Sequence, residues 1–131
     1  KQCSIVVSYI TDRLSNESIY HKRIGFVKQI LNSDLDIDIY GKDWANSKLR
    51  DSRIKGPLAN KKDGLIDYKF SVAIENSIER DYFTEKITDC ILTDTTPIYY
   101  GCPDIDRFFS SVYQLDTIDN LNQLTSIYIQ L

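Results

Sequence analysis

Short apolar segments alternate along this chain with segments of helical periodicity, and this alternation constrains the fold more than any other feature. Residues 4–10, 36–40, 70–74 and 97–100 are apolar or β-branched enough to form strands, and residues 111–115 are a weaker fifth candidate. Apolar residues at helical spacing predict a helix after the first strand, another after residue 81, and a closing helix near the C-terminus. This order predicts an α/β fold with a mainly parallel sheet and helices on both faces.

The second helix has the most specific pattern of the three. Either Asp81 or Thr84 can cap its N-terminus, because both side chains accept hydrogen bonds from free backbone N–H groups. The residues predicted to share its apolar face are Phe83, Ile87, Cys90 and Ile91. Lys86 falls at the edge of that face, so its amino group is free to meet a ligand.

One ordinary domain accommodates the whole sequence, because 131 residues suffice for one buried core and not for two. Apolar residues make up 42%, and five glycines and three prolines are too few for a disordered or low-complexity chain. The longest apolar runs are far shorter than the roughly 20 residues of a membrane-spanning helix, so we expect a soluble domain with no membrane segment. The chain begins at Lys1 and contains no methionine, which favours a single domain, residues 1–131, excised from a larger protein.

Charge is unevenly distributed in this chain, whose net charge is −3. Residues 42–67 have weak periodicity and contain Gly56-Pro57, which predicts an irregular connection around one short helix. Within them, residues 42–62 carry seven basic and two acidic side chains. A basic segment on an acidic body suits a small anionic ligand better than a nucleic acid, which requires a broad basic face. The alternative interpretation is a solvated surface loop.

The cysteines do not follow a metal-binding pattern. Cys3, Cys90 and Cys102 lack CxxC spacing, and with His21 as the one histidine they argue against a zinc site. Free thiols are the simplest state for an odd number of cysteines, although a disulfide between two of them stays open. Cys90 lies on the apolar face of the second helix and is predicted to be a small core residue.

Polar side chains cluster where the strand at residues 70–74 ends and the second helix begins. These residues are Glu75, Asn76, Tyr82, Thr84, Glu85 and Lys86. Free N–H groups at a helix N-terminus attract anions, and Lys86 adds a positive charge. Glu85 can accept hydrogen bonds from a ribose diol. Tyr82 offers a ring on which a ligand can pack and a hydroxyl that can donate a hydrogen bond. Because ligands of parallel sheets bind beyond the carboxyl ends of the strands, residues 11–18 and 75–84 are the candidate ligand loops. The groups suit a nucleoside diphosphate without a metal; alternatively, Glu85 and Lys86 are merely exposed charges.

Residues 68–103 also resemble a known family. The motifs are Tyr68-Lys69-Phe70, Glu75-Asn76, Tyr82-Phe83-Thr84-Glu85-Lys86 and Pro97-Ile98-Tyr99-Tyr100-Gly101-Cys102-Pro103. With these spacings the segment resembles the C-terminal, donor-binding half of glycosyltransferase family 10, the α-1,3/4-fucosyltransferases. Upstream the similarity is weaker and rests on a strand, a Ser-containing loop and Arg23 at the opening of a helix.

The resemblance implies one Rossmann-like half of a two-domain, GT-B-type enzyme that transfers fucose from GDP-fucose to an acceptor glycan with inversion. By the family's pattern, Lys86 and Arg23 hold the diphosphate, and Glu85 holds the ribose hydroxyls. Tyr82 contacts the ribose-phosphate portion, and Asn76 lies near the fucose.

The resemblance also implies that this chain contains no catalytic residue of its own. The family places the catalytic base, a carboxylate, in an N-terminal domain that also meets the acceptor glycan. Glu75 and Thr84 are therefore expected to support the binding loop, and the isolated chain to bind the donor without transferring its sugar. No metal, no cofactor beyond the donor substrate GDP-fucose, and no nucleic-acid partner are expected.

Two other functions fit the sequence pattern. A regulatory or non-catalytic nucleotide-sugar-binding domain would carry the same groups, and only an N-terminal domain with an acceptor-side carboxylate separates it from the enzyme. A flavodoxin-like signalling domain would need a phosphoacceptor aspartate; Asp12 is the nearest candidate, but it lacks a partnering acidic pair. The compartment expected is the cytoplasm for a bacterial or viral protein, or the Golgi lumen for a membrane-anchored eukaryotic one.

Overall fold

The computed structural model describes residues 2–10 and 18–130, which form one six-stranded sheet flanked by helices. Its strands are β1 (Cys3–Val6), β2 (Ile37–Tyr40), β3 (Ile54–Gly56), β4 (Phe70–Ile74), β5 (Thr96–Tyr100) and β6 (Tyr113–Gln114). Every pair of neighbouring strands is parallel, and the order across the sheet is β3-β2-β1-β4-β5-β6. This is the strand order of a doubly wound, Rossmann-like sheet, so the predicted fold class is confirmed.

Helices cover both faces of the sheet, as the alternation predicted. The helices are α1 (Ile19–Leu31), α2 (Glu85–Leu92) and α3 (Asn122–Gln130). Alternate side chains of β4 point to opposite faces, so Val72 and Ile74 join a core with α1 and α3, whereas Ala73 joins a second core with α2. Burial of both faces explains why the central strands are continuously apolar.

The direction in which successive strands are added to the sheet reverses between β1 and β4. From β1 the chain winds outward through β2 to β3, and from β4 it winds the other way through β5 to β6. The helices on either side therefore diverge at the carboxyl ends of β1 and β4, and a crevice opens there.

Several predicted boundaries differ from the observed ones. β1 ends at Val6 rather than at residue 10, although Val7 N–H still donates to the Tyr40 carbonyl. The region 42–67, predicted to be irregular around one helix, holds β3 and two short 3₁₀ helices, Trp44–Asn46 and Lys61–Gly64. Ile91, predicted to face the core, is 43% exposed, because α2 buries Ile87 and Cys90 instead.

The three cysteines are free and buried. Burial raises the pKa of the Cys90 thiol to about 11 and that of Cys3 to about 12, which keeps both protonated. Cys90 packs in the core on the buried face of α2, as predicted. In the described part of the chain, no helix has the length and apolar character needed to cross a bilayer.

One residue of the basic segment is structural. The Arg53 guanidinium donates hydrogen bonds of 2.8 to 3.1 Å to four backbone carbonyls at and just beyond the end of α1, those of Ile30, Leu31, Ser33 and Leu35. The guanidinium also pairs with Asp51 at 2.9 Å. The hydrogen bonds that the side chain and backbone N–H of Arg53 donate to Asp51 lower the pKa of this carboxyl to about 2. Arg53 therefore satisfies carbonyls that a helix end leaves without intrahelical partners.

Replacing Arg53 by alanine should destabilise the fold without touching any ligand site. Arg53→Ala removes several charge-assisted hydrogen bonds from partly buried carbonyls, so urea unfolding should show a loss of about 2–3 kcal/mol. The exposed Lys48, from the same basic segment, is the control, and Lys48→Ala should change stability by less than about 0.5 kcal/mol. Equal effects of the two variants would contradict the structural role of Arg53.

Candidate functional site

A cavity of about 360 Å³ opens between the carboxyl ends of β1 and β4. Its lining comprises Val6, Ser8, Ile10, Tyr20, Arg23, Lys61, Asn76 and Lys86. Of these described residues, three are cationic and none is a carboxylate. The cavity therefore lies where ligands of doubly wound sheets bind, and its electrostatics favour an anion.

Arg23 lies in the second turn of α1 and is only 7% exposed. Its Nη1 donates to Oδ1 of Asn76, which follows β4 directly, so the two residues join α1 to the end of β4. Burial lowers the pKa of the Arg23 guanidinium, whereas the nearby Tyr20 and Glu75 act in the opposite direction. The guanidinium still stays charged, because its pKa starts far above neutral.

One polar atom of Arg23 is left unsatisfied. Its Nε is buried and has no hydrogen-bond partner among the described residues. A buried donor without a partner is costly, by about 1–3 kcal/mol, so such groups usually meet a water or a ligand. Arg23 is thus a charged residue that lines the cavity and whose Nε–H is still available to donate a hydrogen bond.

The N-terminus of α2 supplies the second cation. Thr84 caps the helix, since its Oγ1 accepts from Lys86 N–H at 3.3 Å, and Asp81 makes no such cap. The Lys86 side chain is 19% exposed, and its Nζ lies 4.0 Å from Oε1 of Glu85. Glu85 itself is 63% exposed, and its pKa is lowered by its own backbone N–H and by the lysine charges nearby.

A buried carboxylate fixes the cap in place. Glu75 is fully buried, and its oxygens accept from Thr84 Oγ1 at 2.6 Å, Thr84 N–H at 2.9 Å and Tyr99 O–H at 2.9 Å. The Tyr99 oxygen in turn accepts from Cys102 N–H at 3.1 Å. Gly101 leaves room for this network, because a Cβ there would lie 2.6 Å from the Tyr99 hydroxyl. Glu75 therefore ties the end of β4 to the start of α2 and to β5.

A second carboxylate holds the loop before α2. Asp104 Oδ1 accepts from Asp81 N–H at 3.0 Å, where Asp81 adopts a positive φ of 59°. Arg107 Nη1 bridges the two acids, at 2.7 Å from Asp81 and 2.9 Å from Asp104. These hydrogen bonds hold the pKa of Asp104 well below its ordinary range. The loop that carries Tyr82 is thereby anchored to the segment after β5.

The structure brings together some of the residues predicted from sequence and separates others. Arg23, Asn76 and Lys86 line one cavity, whereas Tyr82, 40% exposed, and Glu85 lie outside its described lining. Lys61 also lines the cavity, and sequence reasoning missed it as an individual residue, although the basic segment that contains it was noted.

Part of the predicted site falls outside the described residues. The candidate ligand loop at residues 11–18 is described only at residue 18, and the phosphoacceptor candidate Asp12 lies in the part that is not described. Ser18 caps α1 by accepting from His21 N–H at 3.1 Å. In residues 2–10 and 18–130, no three His, Cys, Asp or Glu side chains are grouped as metal ligands would be.

Comparison with known proteins places the chain in a family. Residues 4–125 match the model of the glycosyltransferase family 10 (fucosyltransferase) C-terminal region. The chain belongs to this family. The resemblance found in the motifs of residues 68–103 is therefore confirmed and extends over almost the entire sequence.

Individual proteins that are similar to this family 10 chain are also named as fucosyltransferases. It is 31% identical over 93 residues to human GDP-fucose protein O-fucosyltransferase 3, covering 68% of the chain and 19% of that protein. It is 38% identical over 88 residues to Drosophila melanogaster alpha-(1,3)-fucosyltransferase B, covering 63% of the chain and 20% of the relative. The chain thus spans about a fifth of the length of these relatives.

A solved structure shares the fold. The crystal structure of an alpha1,3-fucosyltransferase with GDP-fucose superimposes with a TM-score of 0.66 and 25% identity. The match covers 98% of this family 10 chain and 34% of the fucosyltransferase chain. The parallel sheet described above is thus similar to one part of a larger, GT-B-like fucosyltransferase.

Replacing the buried Glu75 by glutamine should destabilise the site. Glu75→Gln turns one of the acceptors of the buried network into an NH₂ donor that faces other donors, so unfolding should show a loss of about 1–3 kcal/mol. Glu79→Gln changes the same charge at an exposed position of the same loop and should cost less than about 0.5 kcal/mol in the same urea titration. A similar loss in both variants would mean that the buried network contributes nothing specific.

Proposed function

We propose that this chain is the donor-nucleotide-binding domain of a fucosyltransferase and binds GDP-fucose in the cavity between β1 and β4. The observation that carries the proposal is the convergence of Arg23, Lys61 and Lys86 on a cavity lined by no described carboxylate. A diphosphate is the anion that such a site suits, since several cations can contact its separate oxygens. The names of the relatives supply the fucose and the guanine of the proposed donor.

The proposed roles follow from position. Lys86 and Arg23 contact the phosphate oxygens, and Asn76, which Arg23 holds, faces the sugar. Glu85 and Tyr82 lie just outside the cavity at the start of α2, where they can meet the ribose of a nucleotide that extends past Lys86. Glu75 and Thr84 support the turn and do not contact the ligand.

In the proposed reaction, this domain stabilises the leaving group. Breaking the bond between fucose and phosphate leaves negative charge on GDP, and preorganised cations lower the energy of the transition state in which that charge develops. Inversion requires a base that deprotonates the acceptor hydroxyl. We place that base and the acceptor glycan on a further domain of the full protein, so residues 1–131 act as the donor half and bind GDP-fucose without transferring it on their own.

GDP should raise the melting temperature of the chain by several degrees, and UDP should raise it much less. A ligand that binds only the folded state at 100 times its Kd stabilises by about 2.7 kcal/mol. Differential scanning fluorimetry with equal concentrations of GDP, GDP-fucose and UDP provides the measurement. Equal shifts for GDP and UDP would argue against guanine selectivity, and no shift with either would argue against the site itself.

Removal of the Lys86 charge should abolish most of the GDP-induced stabilisation. Losing a charge-assisted contact of about 1.5–3 kcal/mol weakens binding roughly 10- to 100-fold, measured by isothermal titration calorimetry of Lys86→Ala. The control is Lys69→Ala. Lys69 is an exposed lysine just before β4, so it lies at the amino end of that strand, away from the cavity at the carboxyl ends. If Lys86→Ala unfolds the domain in the absence of ligand, Lys86 is a structural residue.

A further inference from the structure

Lys61 is a cation of the cavity that the family motifs of this chain do not include. It begins the 3₁₀ helix Lys61–Gly64, which Asn60 caps by accepting from Lys62 N–H at 3.0 Å. The hydroxyl of Ser4 in β1 donates to the Gly64 carbonyl and anchors this turn to the centre of the sheet. The backbone that presents Lys61 is therefore fixed, and Lys61 and Lys86 line two adjoining cavities together.

Lys61 has a partner that Arg23 and Lys86 do not share. Its Nζ lies 3.3 Å from Oδ2 of Asp89, one turn along α2 from Glu85, and the two side chains are 37% and 34% exposed. An ion pair this exposed is weak, typically about 0.2–1 kcal/mol. A phosphate oxygen in the cavity can therefore displace Asp89 from Lys61 at little cost.

The charges of donor and product differ in a way that matches this arrangement. In a nucleoside diphosphate sugar each phosphorus carries one ionised oxygen, and the cations Arg23 and Lys86 balance them. When the sugar leaves, the terminal phosphate is freed and gains a second ionisation, which for phosphate monoesters has a pKa of about 6. The product thus carries extra charge at neutral pH, and Lys61 is the further cation of the described cavity.

We propose that Lys61 binds the terminal phosphate of GDP after exchanging its partner Asp89 for it, and that it recognises the freed product more strongly than the intact donor. This inference rests on the proposed function. In the transfer step, the bond between the anomeric carbon and the phosphate oxygen breaks and its electron pair stays on that oxygen. The acceptor oxygen forms the new bond to carbon, and its proton passes to a base of the full protein. Lys61 offsets the charge that the phosphate oxygen gains.

The first test compares Lys61→Ala with Lys62→Ala by calorimetric titration of GDP and of GDP-fucose. Lys62 is the adjacent lysine of the same turn and lies outside the described lining of the cavity, so it matches Lys61 in charge and backbone context. Lys61→Ala should weaken GDP binding about 10-fold or more, weaken GDP-fucose binding by about threefold or less, and be rescued in part by Lys61→Arg. Lys62→Ala should change neither affinity by more than about twofold.

The outcomes separate this inference from the proposed function. Equal losses for GDP and GDP-fucose in Lys61→Ala, or losses no larger than in Lys62→Ala, would overturn the role of Lys61 while leaving the donor site in place. A wild-type chain that binds neither ligand would overturn both. Thermal unfolding without ligand shows whether each variant is folded. If Lys61→Ala is not folded, the comparison of GDP with GDP-fucose is made with Lys61→Arg instead.

The second test addresses the exchange of partners. Asp89→Asn releases Lys61 from its ion pair, so it should tighten GDP binding by about two- to fivefold, the factor that corresponds to an exposed ion pair. The same substitution in a Lys61→Ala background should bring less than half of that gain. A gain of the same size in both backgrounds would mean that the negative charge of Asp89 repels GDP directly rather than through Lys61, and the proposed exchange would be wrong.

Discussion

The carboxylate of Glu75 is the constraint on which the rest of the site depends. It is fully buried and accepts hydrogen bonds from Thr84 and Tyr99, so it connects the end of β4 with the N-cap of α2 and with β5. A buried carboxylate is costly unless its oxygens are satisfied, so the loss of one of these hydrogen bonds weakens the whole network. Because the position of Lys86 follows from the cap at Thr84, the geometry of the proposed anion site depends on a residue outside the described lining of the cavity.

The protein itself holds Arg23 in place, and this arrangement has a cost. Its guanidinium is nearly buried on α1, donates to Asn76, and leaves Nε without a partner among the described residues. A side chain held in this way has little rotamer freedom to lose, which lowers the entropic cost of the anion binding proposed above. The unsatisfied Nε and the burial of the guanidinium charge are the cost of holding the side chain there.

The sequence predicted the elements that are defined locally and missed those that depend on distant contacts. The strand Phe70–Ile74 lies where its apolar, β-branched residues predicted it, and Thr84 is one of the two helix caps that the sequence offered. β3 has only three residues, with Gly56 among them, and becomes a strand because β2 offers its edge. Lys61 reaches the cavity because its turn is anchored to Ser4, a contact across 60 residues that periodicity does not reveal.

Long-range contacts also explain why counting charges identified the basic segment but did not show which of its residues are structural and which line the cavity. Arg53 lies among the carbonyls at the end of α1, and its N–H groups are all used there and by Asp51. Lys61, in contrast, forms a partly exposed ion pair with Asp89. Both cations contribute equally to the local excess of positive charge. Their partners distinguish them, since backbone carbonyls fix a cation permanently and an exposed carboxylate can be displaced. In this chain of net charge −3, Lys61 can therefore exchange Asp89 for the phosphate of the proposed donor, whereas Arg53 stays bound to its carbonyls.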